Sequence, residues 1–472
     1  MSQEKKPVFG KITDTEKDIT VYQKDSTANA VFLYERGETV FKDTRFRILI
    51  STHYYARIKL FNKEGFDYAT VEIPIYNNKE ASEKVKDIKA VTHNGERQVY
   101  LAAANVYTER KNEYWSVVKF TLPDIKEGSI IEYEYTLESP FKFNFKGWTF
   151  QNDIPKIYSE FHALIPGNYV YNRRLSGYQE LLLNESKLKK NCFSVEGISK
   201  MADCEEVTYA MENIPAFIEE DYMTAKVNHI SAINFELSEF MGFDGVKYKY
   251  TKTWEDVDKE FRTEKTVGVQ LRKVDYLEKR LPEDILITEP LLERAKKVYA
   301  FIQNHFRWDG KLRLFNEVNV KKAFDEQVGN AAEINIALIN ALNAAGIETY
   351  ALLLSTRENG LPTRLHPVIT DFNYLVAKTD IDGVTYLLDA TQRSLPFGTL
   401  PLRALNGYGR VMEFKKGSYW LDINPEKNSV IQTTLTIELT EDGNFKGLAH
   451  RMSGCHQKCW HCKSGRRSPP GR

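Results

Sequence analysis

The sequence has no excess of charge of either sign and no long apolar stretch. Its 65 basic residues balance 65 acidic residues, so the composition does not indicate nucleic acid as a partner. No run of about 18 or more apolar residues occurs, which predicts that the chain is not an integral membrane protein. The N-terminus, Met1 to Lys6, is polar and lacks the apolar core of a signal peptide. It is therefore either a cytosolic start or the mature end of an exported protein.

Cysteine is scarce, and three of the five cysteines lie in the last eighteen residues. The body of the chain has only Cys192 and Cys204, which can pair if the chain is exported and are otherwise two free thiols. The tail concentrates metal-ligand side chains at short spacing: Cys455, His456, Cys459, His461 and Cys462. They lack the second half of a zinc site and follow a strand pattern that stops abruptly. We interpret residues 453–472 as an aberrant or disordered tail, and we predict no metal site and no cofactor.

Aromatic residues make up 12% of the chain, with 26 Tyr and 26 Phe, and this richness is typical of β-sheet domains. From Ala30 onward, short strands follow one another at regular spacing. Asn94-Gly95 is a strong hairpin signal, and Arg36-Gly37 indicates another turn. Up to residue 225 the pattern predicts an antiparallel β-sandwich. No His, Asp or Cys constellation stands out in it, so we expect it to bind or present something and not to catalyse.

Helical patterns begin after residue 225. Thr253 with Asp256 predicts a helix start, and the segment from Val267 to Leu281 is amphipathic. Thr288 is predicted to cap a strong helix that carries Pro290 in its first turn. These helices precede the most informative part of the chain.

The stretch from Val328 to Thr391 combines one helix with three strands. The helix, Ile334 to Ala345, is apolar and ends at Gly346, and a strand follows from Tyr350 to Ser355. Two further strands form a hairpin, Phe372 to Ala377 and Tyr386 to Thr391. A helix packed on such a sheet is the skeleton of a papain-like or transglutaminase-like core.

Three positions of that skeleton normally carry the chemistry. A Cys at the helix N-terminus has a lowered pKa because it faces unpaired N–H groups. A His on the first hairpin strand moves the proton, and an Asp at the end of the second strand orients the His. Here the three positions hold Ala331, Tyr374 and Asp389. Only the Asp remains, so the sequence predicts a degenerate triad with no catalytic residue.

Several short motifs carry a family resemblance: Phe372-Asn373-Tyr374, Leu388-Asp389-Ala390-Thr391, Gly398-Thr399-Leu400-Pro401 and Asn406-Gly407-Tyr408-Gly409-Arg410. With them the chain resembles the transglutaminase-like domain of large Gram-negative envelope proteins. Tyr34 to Glu38 and Gly128 to Tyr133 are similar to the β domain of unknown function that precedes it in that family. The resemblance implies a periplasmic or cell-surface protein in its mature form, without its signal peptide; a cytoplasmic location stays open.

The fold class that follows is α+β and multidomain. We predict an N-terminal antiparallel β-sandwich over 1–225 and a transglutaminase-like, papain-like α+β core with its preceding helices over 226–415. The start of a C-terminal β domain spans 416–452, and the tail spans 453–472.

The degenerate triad favours a non-catalytic binding or scaffolding module whose ligand is a peptide, a protein or a glycan. Candidates for the binding cleft are Asn330, Glu333, His366 and Asn373. Glu333 is expected to support the helix N-terminus, and His366 lies in a loop before a Pro, too far from Asp389 for one short hairpin. The alternative is an active transglutaminase-like cysteine peptidase or amidase that uses residues not matched here. Asp389, without a His, is expected to accept hydrogen bonds from the following loop or from Tyr374.

Overall fold

The computed structural model describes residues 6–44, 47–142, 145–198, 201–250, 253–315, 317–365, 367–425 and 431–453. The chain divides into two units, Met1–Thr251 and Lys252–Arg472. The sequence placed the first boundary at 225, whereas the first unit continues because the strand Ala232–Met241 pairs with Tyr169–Ser176. His366 and residues 454–472, with the Cys- and His-rich motif, lie outside the described residues.

The first unit contains one short α-helix and fifteen named strands among its described residues. They are α1 (Asp14–Lys17), β1 (Ala30–Thr44), β2 (Arg47–Leu60), β3 (Thr70–Tyr76), β4 (Lys84–Asn94), β5 (Arg97–Tyr100), β6 (Tyr107–Arg110), β7 (Trp115–Thr121), β8 (Ile130–Ser139), β9 (Trp148–Thr149), β10 (Lys156–Pro166), β11 (Tyr169–Ser176), β12 (Leu183–Phe193), β13 (Ala202–Ile214), β14 (Ala232–Met241) and β15 (Lys247–Lys249).

An eight-stranded sheet in the order β12-β13-β10-β1-β2-β8-β4-β5 forms the centre of the first unit. Two smaller sheets, β3-β7-β6 and β11-β14-β15 with β9 beside β14, accompany it. Each contributes to an apolar cluster shared with the large sheet, one around Ile58 and Phe120 and one around Phe161 and Phe235. We predicted a purely antiparallel arrangement, but in the large sheet β1 runs parallel to β10 at the centre.

Gly37 lies within the continuous strand β1, so the predicted turn at Arg36-Gly37 is wrong. A Cβ atom at position 37 would lie 2.4 Å from Cζ3 of Trp148. The glycine is therefore needed for the close approach of the indole ring and not for a bend. The hairpin at Asn94-Gly95 is confirmed, with Gly95 at a φ of 63° between β4 and β5.

The second unit begins with helices and continues with a sheet. Its elements are α2 (Trp254–Thr263), α3 (Val274–Glu278), α4 (Glu283–Leu286), α5 (Leu291–His305), β16 (Arg307–Trp308), α6 (Val320–Glu326), β17 (Val328–Gly329), α7 (Ala331–Ala344), β18 (Thr349–Leu354), β19 (Tyr374–Ile381), β20 (Val384–Leu388), β21 (Tyr408–Val411), β22 (Tyr419–Asp422), β23 (Ile431–Leu439) and β24 (Phe445–Ser453).

Helix α7 is the predicted apolar helix, and it is buried on nearly all sides. It packs on an antiparallel sheet in the order β20-β19-β18-β21-β22. Alternation along the strands sends Leu353 and Leu375 into the cluster that contains most of α7, and Leu354 and Tyr374 into a second cluster. Gly346, at a φ of 76°, follows the end of the helix as predicted.

Two helix predictions differ from the structure. The segment from Val267 to Leu281 is not one helix: it forms a 3-10 turn, Gln270–Arg272, followed by the short helix α3. A Cβ atom at position 268 would lie 2.0 Å from the carbonyl oxygen of Phe261, so Gly268 permits a close approach of the backbone there. Helix α5 begins after Pro290 and is not capped by Thr288. The Thr288 hydroxyl donates instead to the carbonyl oxygen of Asp284.

The boundary predicted at 415/416 also shifts, because β22 pairs with β21 and completes the central sheet. Beyond it, β23 and β24 form a two-stranded hairpin in which Leu439 faces Phe445. Among the described residues no helix is both long and apolar enough to cross a membrane.

Candidate functional site

The N-terminus of α7 is closed by a reciprocal pair of hydrogen bonds. The Asn330 side chain accepts the Glu333 N–H at 3.0 Å, and the Glu333 carboxylate accepts the Asn330 N–H at 2.9 Å. The other carboxylate oxygen of Glu333 accepts the Asn319 N–H at 2.8 Å. Both residues are buried, so these two cleft candidates build the helix start and hold the preceding chain.

Ala331 is the first residue of α7 and is 1% exposed. Its N–H donates to the carbonyl oxygen of Lys311 at 2.9 Å. Its methyl group belongs to the same apolar cluster as Tyr374, Leu352 and Leu354. The start of the helix and the first hairpin strand therefore share one apolar cluster.

Tyr374 and Asp389 are joined directly. The Tyr374 hydroxyl donates to Oδ2 of Asp389 at 2.6 Å, and both side chains are almost completely buried. Oδ1 of Asp389 accepts the N–H of Thr391 at 2.9 Å and its hydroxyl at 2.5 Å. The expected donors of Asp389, the following loop and the Tyr374 hydroxyl, are thereby confirmed.

Arg403 completes this arrangement and was not found in the sequence. Its Nε and Nη2 atoms donate to the Tyr374 hydroxyl oxygen at 3.0 and 2.9 Å, and Nη2 also donates to the Thr391 hydroxyl. Nη2 lies 3.9 Å from Oδ2 of Asp389. The guanidinium lies 4.5 Å from the Trp308 ring centre. The available signal was indirect: a buried Asp without a His needs a cation nearby.

The environment keeps the Tyr374 phenol protonated. Burial and the Asp389 carboxylate raise the pKa of Tyr374 well above its ordinary value of 10, although the Arg403 guanidinium acts in the opposite direction. A protonated phenol cannot accept a proton in place of a His base at neutral pH.

The loop that carries Asp389 is held from α5. The Tyr299 hydroxyl lies 2.9 Å from the carbonyl oxygen of Asp389 and 3.0 Å from that of Leu395. Gln303 donates from Nε2 to the carbonyl oxygen of Gln392 at 2.6 Å. The conformation of this loop is thus fixed by buried side chains of a neighbouring helix.

A cavity of about 390 Å³ lies beside Arg403, and we call it the Arg403 cavity. Its walls include Trp308, Leu312, Thr356, Gln392, Leu402 and Arg403. Asn373 holds Thr356, one of the lining residues, in place. Its side chain accepts the Thr356 N–H at 2.8 Å and donates to the Thr356 hydroxyl at 2.9 Å. The cleft candidate His366 lies outside the described residues.

The described part of the second unit contains no cysteine. In the first unit, Cys192 and Cys204 form a disulfide with their Cα atoms 5.8 Å apart. Within the described residues no group of three or more His, Cys, Asp or Glu side chains is placed to hold a metal ion.

Comparisons with known proteins give distant structural likenesses. No protein-family model and no curated protein matches the sequence. A crystal structure described as a putative protease from Parabacteroides distasonis is similar with a TM-score of 0.49 and 14% identity, over 84% of this chain and 72% of that one. A putative cysteine protease from Cytophaga hutchinsonii is similar with a TM-score of 0.22 and 10% identity, over 86% of this chain and 90% of that one.

Proposed function

We propose that the chain is a non-catalytic, transglutaminase-like binding or scaffolding protein of the cell envelope, with its ligand site in the Arg403 cavity. The observation that carries the proposal is the 2.6 Å hydrogen bond from Tyr374 to Asp389 beneath Arg403. These residues occupy the positions where a cysteine peptidase or transglutaminase would have its base and the group that orients it.

Each part needed for acyl transfer is replaced by a group that cannot perform it. Position 331 offers a methyl group where a thiolate would attack. Tyr374 keeps its proton, and the oxygens of Asp389 already accept hydrogen bonds from Tyr374 and Thr391. The remaining Asp cannot activate a nucleophile alone.

The backbone at the helix start is also occupied. Stabilisation of an oxyanion needs N–H donors that are free to point at the reacting atom. The Ala331 N–H donates to the Lys311 carbonyl oxygen, so it is not free for this purpose.

The Arg403 cavity has the size and chemistry of a small binding site. Ligand pockets in proteins measure roughly 300–1,000 Å³ and combine apolar walls with a few polar groups. Apolar surface comes from Trp308, Leu312 and Leu402. Polar groups come from Thr356, Glu358, Gln392 and Arg403, so the wall offers one carboxylate beside the guanidinium. Within the described part of the chain, the Nη1 group of Arg403 makes no hydrogen bond. This combination suits a short peptide segment, and a protein or glycan ligand is compatible with the same donors.

The Cys192–Cys204 pairing supports an envelope location, because disulfides persist in oxidising compartments such as the periplasm. The resemblance to envelope proteins favours the same place.

Turnover assays test the proposal. The purified chain should hydrolyse no peptide amide and transfer no glutamine acyl group, before and after deletion of residues 454–472, which removes every cysteine outside the disulfide. Turnover that survives Asp389→Ala would instead support the alternative, an active enzyme with other catalytic residues.

Binding is tested separately, by calorimetry with a panel of short peptides and oligosaccharides. Leu402→Arg should block the cavity because Leu402 lines it and is partly exposed. Ile287→Arg is the matched control, since Ile287 is an exposed residue of the same unit that does not line the cavity. Equal binding by both variants would place the ligand elsewhere.

A further inference from the structure

A cavity in the first unit is lined by a buried ion pair, and it plays no part in the proposed function. The cavity measures about 320 Å³, and its walls include Glu35, Tyr54, Trp148, Lys156, Lys226 and Ile230. We call it the Lys156 cavity. The Lys156 ammonium lies 2.6 Å from Oε2 of Glu35, and the two side chains are 1% and 5% exposed.

The Glu35 carboxylate has its hydrogen-bonding capacity largely filled by the protein. Oε1 accepts the Tyr54 hydroxyl at 2.8 Å, and Oε2 accepts Lys156 and the Ser159 hydroxyl, each at 2.6 Å. The indole N–H of Trp148 in turn donates to the Ser159 oxygen at 2.9 Å. The carboxylate is therefore a fixed counter-charge and a poor acceptor for a ligand.

One of the hydrogen bonds that Lys156 donates is weak. An ammonium group has three N–H donors. Within the described residues Lys156 donates to Glu35 and, at 3.3 Å, to the carbonyl oxygen of Thr149, and its Nζ lies 4.8 Å from the centre of the Phe32 ring. The bond to Thr149 is longer than an ordinary hydrogen bond. An oxyanion in the cavity that Lys156 lines can therefore offer this ammonium group a stronger, charge-assisted acceptor.

Lys226 brings a second ammonium group to the same cavity. Its nearest carboxylate is that of Glu219, 3.6 Å away and largely exposed to solvent. The cavity wall thus carries two ammonium groups and one carboxylate, a net charge of +1 from these three groups. Burying an ion pair seldom stabilises a fold more than apolar packing would, so stability alone does not account for this arrangement.

We propose that the Lys156 cavity binds a small molecule through an oxyanion, a carboxylate or a phosphate, that accepts hydrogen bonds from Lys156 and Lys226. Charge-assisted hydrogen bonds of this kind are the strong ones in proteins. The ring of Tyr54 and the side chain of Ile230 provide apolar surface for the body of the ligand.

The test uses the full chain with acetate, inorganic phosphate and glycerol as probes, against chloride at matched ionic strength. We expect acetate or phosphate to bind by calorimetry and to raise Tm, and glycerol to do neither. Acetate alone points to carboxylate ligands, phosphate alone to phosphorylated ones, and both together to any oxyanion. Binding by neither overturns the proposal.

Variants locate the binding. Lys226→Met should weaken oxyanion binding about tenfold or more, because one charge-assisted hydrogen bond is lost. Lys187→Met is the matched control, since Lys187 is exposed on the same unit and does not line the cavity. The double variant Lys156→Met/Glu35→Gln removes both buried charges together and should abolish binding. Unchanged affinity in Lys226→Met and the double variant, with the fold intact by circular dichroism, also overturns the proposal.

Discussion

Asn335 joins the strand of Tyr374 to the loop of Asp389. Its Nδ2 donates to the carbonyl oxygen of Leu375 at 2.9 Å, and its Oδ1 accepts the Ala390 N–H at 2.9 Å. Leu375 follows Tyr374 in the chain, and Ala390 follows Asp389. One fully buried side chain, one turn into α7, therefore fixes the strand of Tyr374 and the loop of Asp389 relative to each other.

Replacing this amide should be costly. Asn335→Leu keeps the approximate volume but leaves one backbone C=O and one backbone N–H buried without a partner, so we expect a loss of about 2 kcal/mol or more in the free energy of unfolding. Urea unfolding measures it. Asn304→Ala, at an exposed position of α5, is the control and should change stability by less than about 0.5 kcal/mol. Equal effects of the two changes would show that Asn335 does not hold the site.

The Tyr374–Asp389 pair is expected to be structural. Asp389→Ala leaves the Tyr374 hydroxyl and the Thr391 donors without their acceptor and should cost about 1–3 kcal/mol. Asp389→Asn retains an acceptor oxygen for Thr391 and should cost less. Tyr374→Phe should be destabilising by a similar amount. The double variant Tyr374→Phe/Asp389→Ala should lose less stability than the two single variants together, because the residues are in contact. Wild-type stability of Asp389→Ala would refute the structural role.

The raised pKa of Tyr374 gives a pH dependence with a defined sign. A phenol whose pKa is higher in the folded state contributes stability that is complete below the unfolded pKa of about 10 and is lost as the pH rises above it. The wild type should therefore lose stability more steeply than Tyr374→Phe between about pH 9 and about pH 11. The difference in slope should approach at most about 1.4 kcal/mol per pH unit. Parallel curves would contradict this.

Glu333 should act as a cap of α7. Glu333→Ala removes the acceptors of the Asn319 and Asn330 N–H groups and should lower the free energy of unfolding by about 2 kcal/mol. Glu333→Gln keeps one acceptor oxygen and should cost less. The control is Glu326→Ala, an exposed residue at the end of α6. If Glu333→Gln left stability unchanged while abolishing ligand binding, Glu333 would instead belong to the binding site.

The disulfide should stabilise the first unit. Its cysteines are 12 residues apart, and closing a loop of that size contributes about 3 kcal/mol. Reductant should lower the Tm of the wild type and leave Cys192→Ala/Cys204→Ala unaffected. Peptide mapping after maleimide treatment should find Cys192 and Cys204 unlabelled until the protein is reduced. Labelling without reductant would show that they are free thiols in solution.

The parts of the fold that the sequence predicted well are those specified locally. Helix α7 has a capping residue, a run of apolar residues and a glycine after its end, so its place in the chain is signalled by local sequence although its stability comes from packing. The strands β18, β19 and β20 follow from short apolar runs, and Asp382-Gly383 closes the hairpin with positive φ at both residues.

The parts that were missed depend on contacts between distant segments. The parallel pairing of β1 with β10 leaves no signature in either strand. In the sequence, Gly37 suggests a turn, because its contact with the distant Trp148 is visible only in the structure. Arg403 lies in a short 3-10 helix, Leu402–Ala404, and only the packing of Trp308 and Tyr374 around it makes it part of the site.

The central position of β1 has a consequence for synthesis on the ribosome. β2 follows β1 directly and can pair with it as a hairpin. The other edge of β1 has no partner until β10 has been synthesised, and in the finished sheet Phe32 of β1 lies opposite Lys156 of β10. Until then the nascent chain presents a long, unpaired strand edge, which is a template for aggregation. Long-range pairing of this kind is also slow to form. The first unit should therefore depend on chaperones until the ribosome has passed β10, and premature termination before Lys156 should yield insoluble fragments.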